Sequence, residues 1–200
     1  MGSFPMGTIV AFGDSYTSGL NKPDPNNRYY VTPFVEHVAN ELEFDLINYG
    51  IDGNSNPAIT SQILAHDFTE DQFALVTWSG HTRDWDWDPE RLRFKKANLR
   101  VRKPRELDIC YYMSEISIRS AENYLTKNSV SCIMYAGFVE HMLIQMEQWD
   151  NFIPGTLKEL CEDDMELCQH PNAVGHRKIA DSILNDVREK IYEQRRKQDN

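Results

Sequence analysis

The sequence lacks the features of a membrane protein or a secreted protein. No stretch approaches the roughly 18 consecutive apolar residues that a membrane-spanning helix needs. The first residues, MGSFPMGTIVAFGDS, have neither the basic segment nor the cleavable apolar segment of a secretory signal. These absences favour a cytoplasmic protein or one held within an assembly, and they predict no membrane contact.

Cysteine is scarce, and histidine shows no ligand pattern. The four cysteines, at positions 110, 132, 161 and 168, include no CxxC pair of the kind that binds zinc. The histidines outside the motifs discussed below also lack metal-ligand spacing; they are His37, His66, His81 and His141. We therefore expect buried thiols, with Cys161 and Cys168 as the one pair close enough to consider for a disulfide. We expect neither a metal ion nor another cofactor.

A net positive charge is also absent. The 31 acidic residues outnumber the 21 lysines and arginines, and the net charge is −10 at pH 7. A chain of this charge repels polyphosphate, so nucleic acid is not an expected partner. Eight of the positive side chains nevertheless fall between Arg91 and Arg105, directly after the acidic sequence DWDWDPE. Such a run is usually a solvated surface, but this one is also compatible with a lid, an anionic-ligand patch or a contact for a protein partner.

The chain does contain short apolar runs that alternate with helical patterns. Four runs are typical of strands buried in a parallel sheet: Thr8 to Phe12, Asp45 to Tyr49, Phe73 to Trp78 and Ser131 to Ala136. Apolar residues at helical spacing predict helices at Pro33 to Leu42, Ala58 to Leu64, Ser114 to Leu125, and about Asn172 to Arg195. The segment Asn21 to Asn27, rich in proline and asparagine, is predicted to be a loop.

This alternation predicts one α/β domain with a mainly parallel sheet, because parallel neighbours need crossover helices. The domain covers residues 1–200, a length that fits a single core. A charged, tryptophan-containing insertion at about 84–106 interrupts it.

Polar residues follow the predicted strands where each strand ends. Ser15 follows the first strand, an Asn- and Gly-rich turn from Asn48 to Asn56 follows the second, and the sequence SGHTR follows the third. Near the other end of the chain, His170 precedes the last helix. Ligands of parallel α/β sheets bind at the carboxyl ends of the strands. A serine, a histidine and two turns rich in N–H groups match the nucleophile, base and oxyanion hole of acyl transfer.

In this order the motifs resemble those of the SGNH hydrolases, also called GDSL-like esterases. Gly13-Asp14-Ser15 matches the first block, Asn48 to Ser55 the second, and HPNAVGH, which begins at His170, the last. The resemblance implies a flavodoxin-like three-layer α/β/α sandwich and ester hydrolysis. It also implies that Ser15 is the nucleophile, that His170 is the base, and that Gly53 donates its N–H to the oxyanion. The chain has no GxSxG elbow, which argues against an ordinary α/β-hydrolase.

Two positions depart from the family pattern. Thr82 stands where the third block has an asparagine that donates to the oxyanion, so we expect the Thr82 hydroxyl to act there, with positive charge from Arg83 or His81 as the alternative. Leu167 stands three residues before the base, where the family has its acid. Glu166 is then the first candidate for the acid. The alternative is a Ser-His dyad, in which a carbonyl oxygen orients His170.

Other side chains close to the motifs are candidates for substrate contact: Asp14, Asn54, Asn56, Arg83, Trp78 and Trp85. The tryptophans, together with Trp87, are suited to stacking on a sugar ring, although packing in the core or in a lid explains them as well. His176 is expected to support a helix start by hydrogen bonding rather than to bind a ligand.

The motifs together predict a serine esterase that acts on a small-molecule or carbohydrate ester, with an O-acetyl group as the favoured substrate. The two altered blocks leave an alternative. In that alternative, the chain is an SGNH-fold binding or structural protein of a larger assembly, with weakened catalysis.

Overall fold

The computed structural model describes residues 7–24, 27–80, 85–88, 93–96, 104–137, 151–165 and 170–198. Nine strands lie within these ranges: β1 (Thr8–Phe12), β2 (Leu20–Asp24), β3 (Asn27–Tyr30), β4 (Asp45–Asn48), β5 (Gln72–Trp78), β6 (Trp85–Asp88), β7 (Arg93–Lys96), β8 (Ser131–Ala136) and β9 (Phe152–Thr156). The helices are α1 (Ser15–Ser18), α2 (Phe34–Leu42), α3 (Asn56–Ala65), α4 (Pro104–Lys127) and α5 (Ala173–Gln198), with a 3-10 helix at Glu159–Asp164.

Five of these strands form one sheet in the order β4-β1-β5-β8-β9, and every neighbouring pair is parallel. Counted along the chain, this is the 2-1-3-4-5 order of flavodoxin-like folds. The order reverses between β1 and β5, because the chain first adds β4 on one side of β1 and then crosses to the other side. Ligand sites in such sheets lie at the carboxyl ends of the two strands that flank this switch point.

Helices cover both faces of the sheet. On one face α2 and α5 pack on residues that include Ile9 and Ala11 of β1. On the other face α3 and α4 pack on residues that include Val10 and Phe12. Successive strand residues point to opposite faces, so a strand that is apolar throughout serves both cores. The predicted α/β fold with a parallel sheet is confirmed.

The elements deviate from the predicted ones mainly at their ends. The predicted helix from Ser114 is the second half of α4, which begins at Pro104. Ile116 and Val174, apolar residues of the helices predicted at Ser114 to Leu125 and about Asn172 to Arg195, are nevertheless 58% and 56% exposed. Strand β9 was not predicted, because Pro154 and Gly155 interrupt its apolar pattern. A proline is tolerated there because β9 lies at the sheet edge.

The loop predicted at Asn21 to Asn27 is wrong, because β2 and β3 pair there as an antiparallel hairpin. The register shifts between Asn21 and Asp24, so Lys22 and Pro23 fall in an irregularity of the ladder. Proline lacks the N–H that a regular ladder position donates, and an irregularity removes that requirement.

The charged insertion contains a second antiparallel hairpin, formed by β6 and β7. Its register pairs Trp85 with Lys96, Asp86 with Lys95, Trp87 with Phe94, and Asp88 with Arg93. Alternate residues of a strand share a face. Positions 85, 87, 94 and 96, three of them aromatic, therefore alternate with positions 86, 88, 93 and 95, where the register sets two acids opposite two bases.

Cys132 and Cys161, whose side chains are described, are buried free thiols. Burial raises the pKa of the Cys132 thiol to about 12 and that of the Cys161 thiol to about 11. The side chains of Cys110 and Cys168 lie outside the described residues.

Within the ranges given above, no helix combines the length and the hydropathy needed to cross a membrane.

Candidate active site

Ser15 and His170 meet at the carboxyl end of β1. Ser15 begins α1, a single helical turn directly after β1, and Asp14 caps this turn by accepting a hydrogen bond from the Tyr16 N–H at 3.0 Å. The distance from His170 Nε2 to Ser15 Oγ is 2.9 Å, across 155 residues of sequence. Ser15 is 0% exposed and His170 is 9% exposed. A hydrogen bond of this length allows direct proton transfer between the hydroxyl and the ring.

Backbone contacts of the preceding segment hold His170 in place. Met165 and Pro171 form an antiparallel bridge on either side of residues 166–169. The Asn172 N–H donates to the Asp164 carbonyl at 2.9 Å. Gly175 packs so closely that an added Cβ would lie 2.8 Å from the same carbonyl oxygen. A larger residue at position 175 would therefore push α5 and the His170 segment away from the 3-10 helix.

The turn after β4 brings Gly53 beside the Ser15 turn. Two donors, the Ile51 N–H at 3.2 Å and Asn54 Nδ2 at 3.3 Å, bind the Gly13 carbonyl. Gly53 has a φ of 69°, a left-handed conformation that favours glycine. Within the described part of the chain, the N–H groups of Ser15 and Gly53 donate to no backbone acceptor. Both groups are thus available as donors to a ligand oxygen.

The described candidates for substrate contact are buried and have partners inside the protein. Asp14 Oδ2 accepts from Ser79 Oγ at 3.0 Å. Asn54 Nδ2 also donates to Gln62 Oε1 at 2.9 Å, and the Asn56 amide bonds the backbone of Ser79. Exposure is 0% for Asp14, 1% for Asn54 and 0% for Asn56. These side chains join the turns of the site to one another, so in this structure they frame the site rather than line an open surface.

Trp78 belongs to the core. It is 1% exposed and packs in the apolar cluster between the sheet and helices α3 and α4. The packing explanation therefore accounts for Trp78 better than stacking on a sugar does. Glu166, Thr82, Arg83, His81 and Leu167 lie outside the described residues, as does the side chain of Trp85, so their predicted roles stay predictions.

His176 supports the start of α2 rather than the start of its own helix. Its Nδ1 accepts a hydrogen bond from the Phe34 N–H at 3.3 Å, and its ring stacks on Phe34 with centroids 6.4 Å apart and an interplanar angle of 9°. His176 is fully buried. Burial, followed by the charges of His37 and His170, lowers its pKa to about 4. The sequence indicated a supporting role, but only the structure shows that the supported helix is α2.

Metal ligands do not converge in the described ranges, where no group of three His, Cys, Asp or Glu side chains is arranged to hold an ion. The site instead combines a hydroxyl, an imidazole and two N–H groups that donate to no backbone acceptor among the described residues, at the switch point of a parallel sheet. These are components of nucleophilic acyl transfer.

Comparisons with solved structures agree with this architecture. A structure of a catalytic mutant of an acetylxylan esterase from Geobacillus stearothermophilus superimposes with a TM-score of 0.53 and 17% identity, over 90% of this chain and 94% of that one. A member of the lipolytic protein G-D-S-L family from Veillonella parvula gives 0.53 and 16%, over 89% and 96%. A carbohydrate acetylesterase family member from Sinorhizobium meliloti gives 0.57 and 10%, over 92% and 99%.

The chain has the SGNH hydrolase fold. No family model matches the sequence, and no curated protein matches it significantly. The sequence identities to these structures are only 10 to 17%, so the architecture, not the sequence, relates the chain to this fold. Ser15 and His170 meet at the carboxyl edge of this sheet, and Gly53 lies in the turn that follows β4.

Proposed function

We propose that the chain is a serine ester hydrolase of the SGNH type. The observation that carries this proposal is the 2.9 Å contact between Ser15 Oγ and His170 Nε2. Two elements far apart in sequence supply this pair, and it lies where the sheet order reverses. A serine that only capped a helix would need no imidazole partner.

In the proposed reaction, Ser15 Oγ attacks the acyl carbonyl carbon while His170 Nε2 takes the hydroxyl proton. The oxyanion accepts hydrogen bonds from the N–H groups of Ser15 and Gly53, with the Thr82 hydroxyl as a third donor. His170 then gives the proton to the leaving alcohol, and an acyl-serine remains. Water attacks this ester as His170 removes its proton, and the carboxylic acid leaves with Ser15 restored. Glu166 or a carbonyl oxygen orients the imidazole.

An O-acetylated carbohydrate is the substrate we propose. The hairpin supports this choice, because its register gathers Trp85, Trp87 and Phe94 on one face, and aromatic faces pack well on sugar rings. The hairpin begins five residues after Gly80, and five residues span at most about 17 Å. Gly80 adjoins Ser79, which bonds Asp14 beside the nucleophile. Two similar structures are an acetylxylan esterase and a carbohydrate acetylesterase family member.

The basic segment between Arg91 and Arg105 is proposed to contact an anionic group of the substrate or a protein partner. Arg93 and Lys95 lie opposite Asp88 and Asp86 in the register of β6 and β7. Cross-strand partners of opposite sign offset each other. The charge available for such a contact therefore comes mainly from the other basic residues of the segment.

Covalent labelling tests the nucleophile directly. A fluorophosphonate probe reacts only with an activated serine, so we expect one label per chain, located at Ser15 by mass spectrometry of peptides. Ser15→Ala should remove the label, whereas Ser182→Ala, which changes an exposed serine of α5, should retain it. An unlabelled wild-type protein that also fails to hydrolyse p-nitrophenyl acetate would reject the esterase and favour the binding-protein alternative.

Substitutions in the hairpin test the carbohydrate substrate. We expect Trp85→Ala and Trp87→Ala to raise KM for acetylated xylo-oligosaccharides about fivefold, which corresponds to about 1 kcal/mol of aromatic packing. Hydrolysis of p-nitrophenyl acetate should change less than twofold, because this ester has no sugar ring. Asp86→Asn, on the charged face of the same hairpin, is the matched control. Equal effects of all three substitutions on the sugar substrate would contradict stacking on the aromatic face.

A further inference from the structure

A buried chain of hydrogen bonds connects the Ser15 turn to two helices on one face of the sheet. Asp14 uses Oδ1 to cap α1 and Oδ2 to accept from Ser79 Oγ. Asp14, Ser79 and Asn56 are each at most 1% exposed. Water therefore cannot replace a lost partner, and each bond fixes the arrangement of the next.

Asn56 holds Ser79 by both of its backbone groups. The Ser79 N–H donates to Asn56 Oδ1 at 2.8 Å, and Asn56 Nδ2 donates to the Ser79 carbonyl at 2.9 Å. The same nitrogen donates to Ser114 Oγ in α4 at 2.5 Å. The amide has one satisfactory orientation, because a flipped amide would set its NH₂ group against the Ser79 N–H. Ser79, the first residue after β5, thus has both of its backbone groups hydrogen-bonded to one side chain, as a residue within a sheet has to a neighbouring strand.

We propose that Asn56 is a positioning residue of the Ser15 site. By fixing Ser79 it fixes Asp14, and through Asp14 it fixes α1 and the direction of the Ser15 hydroxyl toward His170. The inference rests on the proposed ester hydrolysis. Asn56 acts only through Ser79 and Asp14, so its loss should slow the chemical step and leave binding of a small ester nearly unchanged.

Two variants remove successive parts of this chain of bonds. Ser79→Ala removes the bond to Asp14 and keeps the Asn56 pair, whereas Asn56→Ala removes the bonds to Ser79 and Ser114. We expect kcat for p-nitrophenyl acetate to fall about tenfold in Ser79→Ala and about a hundredfold in Asn56→Ala, because small misplacements of a reacting group have effects of this size. The rate constant for fluorophosphonate labelling of Ser15 should fall in parallel, and KM should stay within twofold.

Thr60→Val is the matched control for loss of a buried bond between the same two helices. Thr60 lies one turn after Asn56 in α3, is 6% exposed, and donates to the Ser117 carbonyl of α4 at 2.9 Å. We expect Thr60→Val to lower the melting temperature about as much as Ser79→Ala does, while kcat stays within twofold of wild type.

The inference is overturned if Ser79→Ala and Thr60→Val lower kcat equally, or if Ser79→Ala retains wild-type kcat. Wild-type kcat in a folded Asn56→Ala overturns it as well, and if Asn56→Ala fails to fold, Ser79→Ala still tests the bond to Asp14 through which Asn56 acts. Failure of the proposed function looks different, since wild-type protein would then neither take the label nor hydrolyse the ester. That result would remove the positioning role together with the hydrolase.

Discussion

Ser15→Ala and His170→Ala are each expected to lower kcat/KM for p-nitrophenyl acetate by at least about a thousandfold, with the double variant no slower than either single one. Serine is a weak nucleophile until the imidazole removes its proton, so the pair bonded at 2.9 Å acts as one unit. Neither substitution introduces a buried charge, so the fold should survive. Steady-state kinetics on the four proteins, with circular dichroism to verify folding, measures the effect.

A His170→Ala protein that keeps a tenth or more of wild-type activity would contradict His170 as the base.

The same kinetic assay identifies the acid of the triad. If Glu166 orients the ring, Glu166→Gln should slow the reaction strongly, since the loss of the acid leaves the imidazole in the wrong tautomer. Unchanged activity and an unchanged pH profile in Glu166→Gln would instead identify a Ser-His dyad.

Acidification from pH 6.5 to pH 4 should destabilise the protein through His176 by about 3 kcal/mol. The folded-state pKa of His176 is about 4, against 6.5 for an ordinary histidine. Between these values the unfolded chain binds a proton that the folded chain excludes, so the free energy of unfolding falls as the pH falls. Above pH 6.5 the ring is neutral in both states, and this contribution is fully retained. Urea denaturation at a series of pH values measures the slope.

His176→Asn separates this effect from the protonation of other groups. The asparagine Oδ1 takes the place of Nδ1 as acceptor for the Phe34 N–H, but it does not titrate. The variant should be less stable than wild type at pH 7.5, because it loses the stacked ring, yet its stability should fall less steeply below pH 6.5. Parallel curves for the two proteins across pH 4 to 6.5 would show that His176 does not carry the acid sensitivity.

The parallel sheet was predictable because its central strands are almost uninterrupted apolar runs. Strands buried on both faces need such runs, and a crossover helix must follow each of them. The meeting of Ser15 and His170 at one edge was predictable for a related reason. Both residues belong to motifs that the resemblance assigns to the carboxyl edge of the sheet.

Features that depend on pairing were not predictable from a single sequence. The β2–β3 hairpin includes Pro23, and the irregularity of its register allows a residue without an N–H at that position. The partners of Trp85–Asp88 are known only from the register, in which Arg93–Lys96 lies opposite. The polar sequence around Asn56 predicts a substrate contact at this position. Its partner Ser79 is 23 residues away, and local sequence does not reveal this distant contact.

The separation of Ser15 and His170 by 155 residues has a consequence during synthesis. At roughly 5 to 20 residues per second, the ribosome releases the serine turn about 8 to 31 seconds before the histidine. A nascent chain in that interval carries the Ser15 hydroxyl without His170 and, under the proposed mechanism, would not cleave esters. His170 shortly precedes α5, which shares a core with α2, so we expect the two groups to meet only once α5 has docked. Onset of the proposed hydrolysis would therefore report the docking of the last helix.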